Sequence, residues 1–322
     1  MSSLFPLKTG ERLECRIIDE PGDKRVPELR ALLGHKGPIW QYHLDEWAEG
    51  RVKRLETRFY VGFIGKRMVG NIMTVEYKGV GLMGHVFTPP EQRRKGICDA
   101  LMEFHMEDFR RREGRVLYLN TGYDSPPWHI YRRHGYQPIP GNPGSMWWSP
   151  GSWEPEELYR ELDRAEVSDP EWQHWPSMNL FALLSTGEIV KNVTYGLYAV
   201  HPAEWEFLSI MHAVRQEQAN VQAKILETRD GHVAGLATLA PERRWGRPAT
   251  TYVFDLCVHP NGAEKVPELI EEFTWPQAHV LAYAAETGHL TIDLLAESDF
   301  HPHSHIERFF DGQVGLVIMD RD

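Results

Sequence analysis

The chain is short of cysteine and of positive charge, and it has no long apolar run. Only Cys15, Cys98 and Cys257 occur in 322 residues. Their number is odd, they lie far apart and no CxxC pair is present. That argues against a disulfide framework and for a reducing compartment. Lys and Arg total 35 against 46 Asp and Glu, a net charge of −11. A uniformly acidic surface repels phosphate backbones, so neither nucleic acid nor a membrane is expected as a partner. No stretch approaches the roughly 18 apolar residues of a membrane span. The opening MSSLFPLKTGERLE has no continuous apolar segment either, and the expected location is the cytoplasm. What is there suffices for a core: 42% of residues are hydrophobic, and the length is comfortable for two domains.

A break falls near 137–155, where QPIPGNPG and SPGSWEPEE gather proline and glycine around SMWWS. Helical pattern resumes at Pro155, a good first-turn residue after Ser152. The boundary is set at 150, giving domains 1–150 and 151–322. In the first, RLECRIID (12–19) reads as a strand, and VPELRALLG and YHLDEWAEG as short helices. TRFYVGFI and MVGNIMTVEY around GKR read as a hairpin, and GLMGHVFT (81–88) as a third strand ended by Pro89-Pro90. A helix follows from about Gly96, with Ile97, Leu101 and Phe104 on one face. RVLYLN (115–120) is a strand, Pro127 to His134 a short helix stopped by Gly135, and strands return near Tyr136 and Met146. The second half repeats this plan. GKRMVGNIMT resembles DGHVAGLATL (230–239), VGLMGHVFTPP resembles TTYVFDLCVHP (250–260), ALMEFHMEDF resembles PELIEEFTW (267–275) and HIYRRHG resembles HIERFFDG (305–312). Matches in the same order point to an internal duplication, and VGLVIMD (314–320) mirrors the closing strand of the first half.

The chemistry concentrates at EQRRKGICDALMEF. Cations at a helix start stand at the wrong end of the dipole, which is positive there. A bound phosphate resolves the conflict. Free backbone N–H groups and the dipole attract it, Gly96 lets the chain approach, and Arg93, Arg94 and Lys95 add charge. The bland alternative is a solvated basic turn. Arg93-Arg94-Lys95-Gly96-Ile97-Cys98 resembles the Arg/Gln-x-x-Gly-x-Gly/Ala signature of the GNAT acetyltransferase superfamily. Tyr131-Arg132-Arg133-His134-Gly135-Tyr136 resembles that family's Tyr-x-x-x-Gly-aromatic motif, one helix and one strand further on, and the likeness covers roughly 12–150. It implies an α/β (α+β) fold of two tandem GNAT-like domains, each a mixed, mostly antiparallel twisted sheet flanked by helices.

The same resemblance implies direct acyl transfer from acetyl-CoA to an amine. Val86, Phe87, Thr88, Arg93, Arg94, Lys95, Gly96, Ile97, Cys98 and Asn120 are the implied cofactor-binding set. Amides near Val86 to Thr88 polarise the thioester carbonyl, and Tyr131 stands where the family protonates the departing thiolate; its alternative is a packed aromatic. Cys98 departs from the signature, where glycine or alanine is usual; a small filler and a reactive thiol are both readings. His85 is the candidate base, but strand alternation sets it with Met83 and Phe87, one residue out of phase. A bulge would re-aim it, and a packed histidine is the alternative. Glu76, Asp124 and His129 are weaker candidates.

Other signals are discounted. Gly79-Val80-Gly81-Leu82-Met83-Gly84 spells GxGxxG but opens a strand, not the helix a dinucleotide loop needs. Asp299-Phe300-His301-Pro302-His303-Ser304-His305 lacks a distant fourth ligand, so no metal is expected and a loop opening a short helix is read instead. The tryptophan segments Trp147-Trp148 and Trp172 to Trp175 read as core or domain contact, not as a stacking platform, because the surrounding charge is acidic. In the second half the loop has become Val258-His259-Pro260-Asn261-Gly262-Ala263-Glu264-Lys265 and the counterpart of Tyr131 is Glu307, so that half is read as a degenerate copy, a substrate wall or a structural cover. The expected protein is a monomeric pseudo-dimer, a true dimer being the alternative, acting on a small-molecule amine. A CoA-binding sensor without chemistry, and a CoA-thioester enzyme of another type (O-acyl transfer, decarboxylation), stay open.

Overall fold

The hairpin expected around Gly65-Lys66-Arg67 is present in a computed structural model of the chain, which describes residues 2–151, 153–184, 187–216, 220–244 and 250–321. The chain divides into two units. One is Met1–Trp153 with Trp175–Ser177, and the other is Glu154–His174 with Met178–Asp322.

The first unit runs β1 (Ser2–Pro6), β2 (Arg12–Ile18), α1 (Val26–Leu32), α2 (Pro38–Ala48), β3 (Glu56–Ile64), β4 (Arg67–Tyr77), β5 (Val80–Phe87), α3 (Ile97–Arg111), β6 (Val116–Asn120), α4 (Pro126–Arg133), β7 (Gln137–Ile139) and β8 (Asn142–Trp148). Its sheet has the order β1-β2-β3-β4-β5-β6-β8-β7. Every pairing is antiparallel except β5 with β6, which run parallel through a crossover that contains α3. The apolar stripe foreseen on α3 is in the core: Ile97, Leu101 and Phe104 are at most 2% exposed. Gly70 on β4 permits that seating, since a Cβ there would stand 2.8 Å from Ile97 Cγ2. The GxGxxG letters form a turn, with Gly79 at φ +81, and then β5.

The far end of α3 carries a buried ionic knot. Arg112 donates to both carboxylate oxygens of Glu76 at 2.6 Å and through Nε to Asp108 at 2.9 Å. Tyr60 donates its hydroxyl to Asp108 at 2.8 Å. Glu76 is thereby a strut and not a base for substrate. Thr74 Oγ1 and His105 Nε2 lie 2.8 Å apart in the same interior.

The second unit runs β9 (Glu166–Ser168), α5 (His174–Leu183, which crosses the division between units), β10 (Val190–Asn192), β11 (Leu197–Tyr198), α6 (Glu204–Arg215), β12 (Gln222–Glu227), β13 (Val233–Pro241), β14 (Thr251–Val258), α7 (Val266–Glu271), β15 (His279–Ala285), α8 (His289–Ala296), β16 (His301–Phe310) and β17 (Val314–Arg321). Its sheet order is β16-β17-β15-β14-β13-β12-β9. Antiparallel β12-β13-β14, parallel β14-β15 and antiparallel β15-β17-β16 repeat the connectivity of the first sheet from β3 to β7. The tandem, mostly antiparallel fold is therefore as expected.

Three local expectations are corrected. Residues 301–310 form strand β16, not a loop opening a helix. Consequently HIERFFDG does not correspond to the helical HIYRRHG, and Glu307 is not the counterpart of Tyr131; α8 occupies the chain position of α4. After the break, Pro155–Tyr159 is a 3-10 turn capped reciprocally by Glu154 and Glu157, while Ser152 lies outside the described residues. Trp172 and Trp175 are fully buried and Trp148 is 8% exposed. Among the described residues no helix is long and apolar enough to cross a membrane, and no group of three or more His, Cys, Asp or Glu is arranged for a metal ion.

Candidate active site

β5 and β6 begin as partners and then part. Only Val80↔Val116, Gly81↔Leu117 and Leu82↔Tyr118 are paired. Beyond them β6 is bonded to β8, and β5 continues alone on that side to Phe87. Its remaining amides on the β6 side are thus released from the ladder and open toward a wedge.

A bulge on β5 lies at this point. The β4–β5 register passes from Met73↔Gly84 to Asn71↔Phe87, so one residue of β4 faces two of β5. His85 takes the left-handed backbone, φ 48, and its carbonyl accepts from Asn71 Nδ2 at 3.0 Å. Simple alternation therefore fails at His85, as a bulge requires. The ring is 7% exposed and edge-on to Trp40 at 5.2 Å. Its Nε2 is buried without a hydrogen-bond partner among the described residues. Burial, helped by His43, Lys36 and His35, holds the imidazole well below its ordinary pKa, so it is neutral at pH 7. Beside it the exposed His35 ring lies 4.2 Å from that of Phe87.

After Pro89-Pro90 the chain turns into α3. Arg93 Nε donates to Thr88 O at 3.0 Å. Arg94 is left-handed (φ 65) and so is Gly96 (φ 93), an arrangement that glycine tolerates and that turns successive amides to one side. Gly96 caps α3 with no side chain to satisfy its first N–H groups. Cys98 follows, its thiol pushed up to about 12 by burial and by Asp99. It is therefore protonated at neutral pH.

These segments share one cleft of about 560 Å³. Its walls include Val86, Phe87 and Thr88 from β5, Arg93, Arg94, Gly96, Ile97 and Cys98 from the loop and α3, and Tyr131 from α4. Tyr131 is 5% exposed. Three residues named from sequence lie outside this lining. His85 is at the bulge beneath it. Asn120 accepts from Ser145 Oγ at 3.3 Å at the end of β6. Lys95 turns away and ion-pairs with Glu11 at 3.0 Å. Asp124 and His129 pair with each other at 3.0 Å on an exposed surface. A residue the sequence gave no cause to name, Lys8, lines the cleft from the β1–β2 turn. A larger, open trough of about 790 Å³ in the second unit is lined mostly by charged side chains between Asp163 and Glu272 and holds none of these motif residues.

The family model described as "Acetyltransferase (GNAT) domain" matches residues 56–138, which span β3 through β7, the loop and Tyr131. The first unit carries a GNAT acetyltransferase domain. Solved structures similar to the chain include an N-acetyltransferase from Staphylococcus aureus Mu50, at 14% identity over 49% of this chain and 98% of that one, TM-score 0.39. A ribosomal-protein-alanine N-acetyltransferase from Brucella melitensis gives 17%, 48%, 98% and 0.37. The GNAT superfamily phosphinothricin acetyltransferase from Sinorhizobium meliloti, in complex with AcCoA, gives 14%, 49%, 88% and 0.38. No curated protein matches the chain.

β14 and β15 of the second unit part much as β5 and β6 do. β14 and β15 are paired from Thr251↔His279 to Phe254↔Ala282 and no further. Asp255, the next residue of β14, is 4% exposed and accepts from the Val193 and Thr194 amides and the Thr194 hydroxyl, at 2.7, 3.1 and 2.6 Å. Asn192 Nδ2 donates to Thr238 on β13 at 2.8 Å. The β10–β11 hairpin thus bonds to the strands where the wedge opens. At the equivalent of the phosphate loop, Gly262 is buried, and a Cβ there would stand 2.9 Å from Leu226 Cδ2. Asn261 donates to Tyr159 O at 2.8 Å, and the Tyr159 ring stacks on His259 at 4.5 Å.

Proposed function

We propose that the chain is an acetyl-CoA-dependent N-acyltransferase, that its first unit performs the chemistry on a small-molecule amine, and that the second unit is a non-catalytic copy. The observation that carries this reading is the single cleft shared by the freed end of β5, the uncapped start of α3 with Arg93 and Arg94, and Tyr131. The α3 amides and the two arginines hold the diphosphate. Amides at Val86 to Thr88 stabilise the carbonyl oxygen as the amine nitrogen bonds to the carbonyl carbon and charge builds on that oxygen. The carbon–sulfur bond then breaks, and the thiolate takes a proton from the Tyr131 hydroxyl. His85, neutral and with an unsatisfied ring nitrogen, receives the proton that the amine loses, directly or through water. The filled wedge and the covered loop of the second unit support its assignment as a copy without transfer chemistry.

Two variants test the reading against intact-mass detection of acetylated amines. Tyr131→Phe is expected to lower kcat about a hundredfold while CoA still raises the melting temperature as in the wild type. Arg93→Ala with Arg94→Ala is expected to abolish that CoA-induced rise. A wild-type protein that CoA stabilises but that acetylates nothing in a broad amine panel would be a CoA sensor. Full stabilisation of the arginine double variant would sink the loop assignment.

A further inference from the structure

An asparagine stands in the apolar run MVGNIMTV of β4. Asn71 is 0% exposed and lies opposite Phe87, at the end of the bulge that carries His85. The two polar ends of its amide have different fates. Nδ2 donates to the His85 carbonyl at 3.0 Å. Oδ1 is buried with no hydrogen-bond partner among the described residues. A buried amide left half satisfied is a cost to the fold. So is a left-handed backbone at a residue with a Cβ, and His85 has φ 48. Such costs persist where the surroundings enforce them, and they gather at functional sites. The bond from Asn71 enforces this one. Its consequence follows from the trans peptide, in which the C=O of one residue and the N–H of the next point in opposite directions. With the His85 carbonyl drawn to Asn71, the Val86 N–H points away from Asn71. Val86 lines the main cleft, beyond the last β5–β6 pair at Leu82↔Tyr118. The same bond fixes the backbone of His85, and with it the direction in which the imidazole leaves the strand.

We propose that Asn71 is a positioning residue of the transfer reaction: by holding the His85–Val86 peptide it aims the Val86 N–H at the thioester carbonyl oxygen and the His85 ring at the amine, and it touches neither. One side chain on β4 thus sets two groups of β5 at once. The imidazole it aims is neutral. Burial lowers its pKa, and His43 on α2 with Lys36 and His35 just before α2 add to that. This inference rests on the N-acyltransferase reading above.

Steady-state kinetics of Asn71→Asp and Asn71→Ala as a function of pH test it. Aspartate keeps the shape and deletes the donor. Alanine deletes the whole amide without adding a charge, and it carries the test where the buried charge of aspartate prevents folding. Each variant is expected to lower kcat about a hundredfold, the scale of one lost oxyanion donor, with KM for acetyl-CoA held. CoA should still raise the melting temperature as in the wild type, which verifies the fold and the phosphate loop together. The pH profile separates aiming from support. Released from the bulge, the His85 ring gains water and its pKa climbs toward the ordinary value of about 6.5. The acid limb of kcat/KM should therefore move up in the variants. A residue that only props the fold would lower the melting temperature and leave that limb in place. An unchanged kcat, or a fall in kcat with the acid limb unmoved, overturns the assignment. A wild type that acetylates no amine overturns the acyltransferase reading, and this inference falls with it.

Discussion

Replacing Arg112 by methionine is expected to cost about 3–5 kcal/mol of stability, measured by urea unfolding. The reason lies in what would be left behind. Glu76 and Asp108 have side chains 4% and 1% exposed, and Arg112 touches both. Burial already raises the Glu76 carboxyl pKa despite the guanidinium, which opposes that rise. Asp108 is also pushed up by burial, but Arg111, Arg112 and Tyr60 outweigh it and the net shift is downward. Methionine fills similar space yet leaves two buried carboxylates without their shared cation. In the variant Glu76 should sit further above its unfolded value. A carboxyl raised in this way binds protons more readily folded than unfolded, so its stability contribution falls as pH rises. The deficit of the variant should therefore shrink toward pH 5, and adding Glu76→Gln should recover part of it. A loss below about 1 kcal/mol would mean that the knot is worth no more than a surface pair.

The two units are expected to answer acid in opposite ways. His43, His85 and His105 of the first unit are all buried. Burial brings His43 to about 3 and, with Arg112 and His134, His105 to about 3 against the pull of Asp108; His85 is held well below 6.5. Their folded pKa values lie below the unfolded one, so the unfolded chain takes up these protons first. The stability they contribute is present above about pH 6.5 and is lost below it, at about 1.4 kcal/mol per pH unit for each group. Glu76, raised by burial, works the other way there. In the second unit burial raises three carboxyls, Glu206 to about 7 with Glu188 and Asp255, while hydrogen bonds lower Glu242, Glu286 and Asp320. The raised carboxyls add stability as pH falls from about 7 toward their unfolded values. Amide hydrogen exchange between pH 7.5 and 5 checks this strand by strand, after correction for intrinsic rates. Protection should fall in β3–β5 and hold or rise in β12–β14. Parallel loss in both sheets would refute it.

Much of the first unit was legible because its signals are local. The hairpin, the stripe of Ile97, Leu101 and Phe104, and the basic loop at Gly96 each declare themselves within a few residues. What escaped depends on partners distant in sequence. Three adjacent cations looked equivalent, and only the contact with Glu11 separates Lys95 from the others. The bulge adds one residue that alternation cannot show. β16 failed as a reading because it is exposed on both faces along most of its length, so no apolar alternation marks it and the letters H-I resembled α4 by coincidence. Asp255 was a missed clue. An acid in the middle of the apolar run TYVFDLCV implies a buried partner, and that partner is the β10–β11 hairpin.

That hairpin has a consequence for any attempt to restore chemistry to the second unit. A tethered occupant acts as a competitor at an effective concentration on the order of millimolar, so a diffusing thioester would meet a pocket that is already saturated. Grafting arginines at Asn261 and Glu264 would add attraction without vacancy. Excising residues 190–198 would create vacancy but strand the Asp255 carboxylate in the interior. Re-activation therefore demands both edits together with a neutral residue at 255.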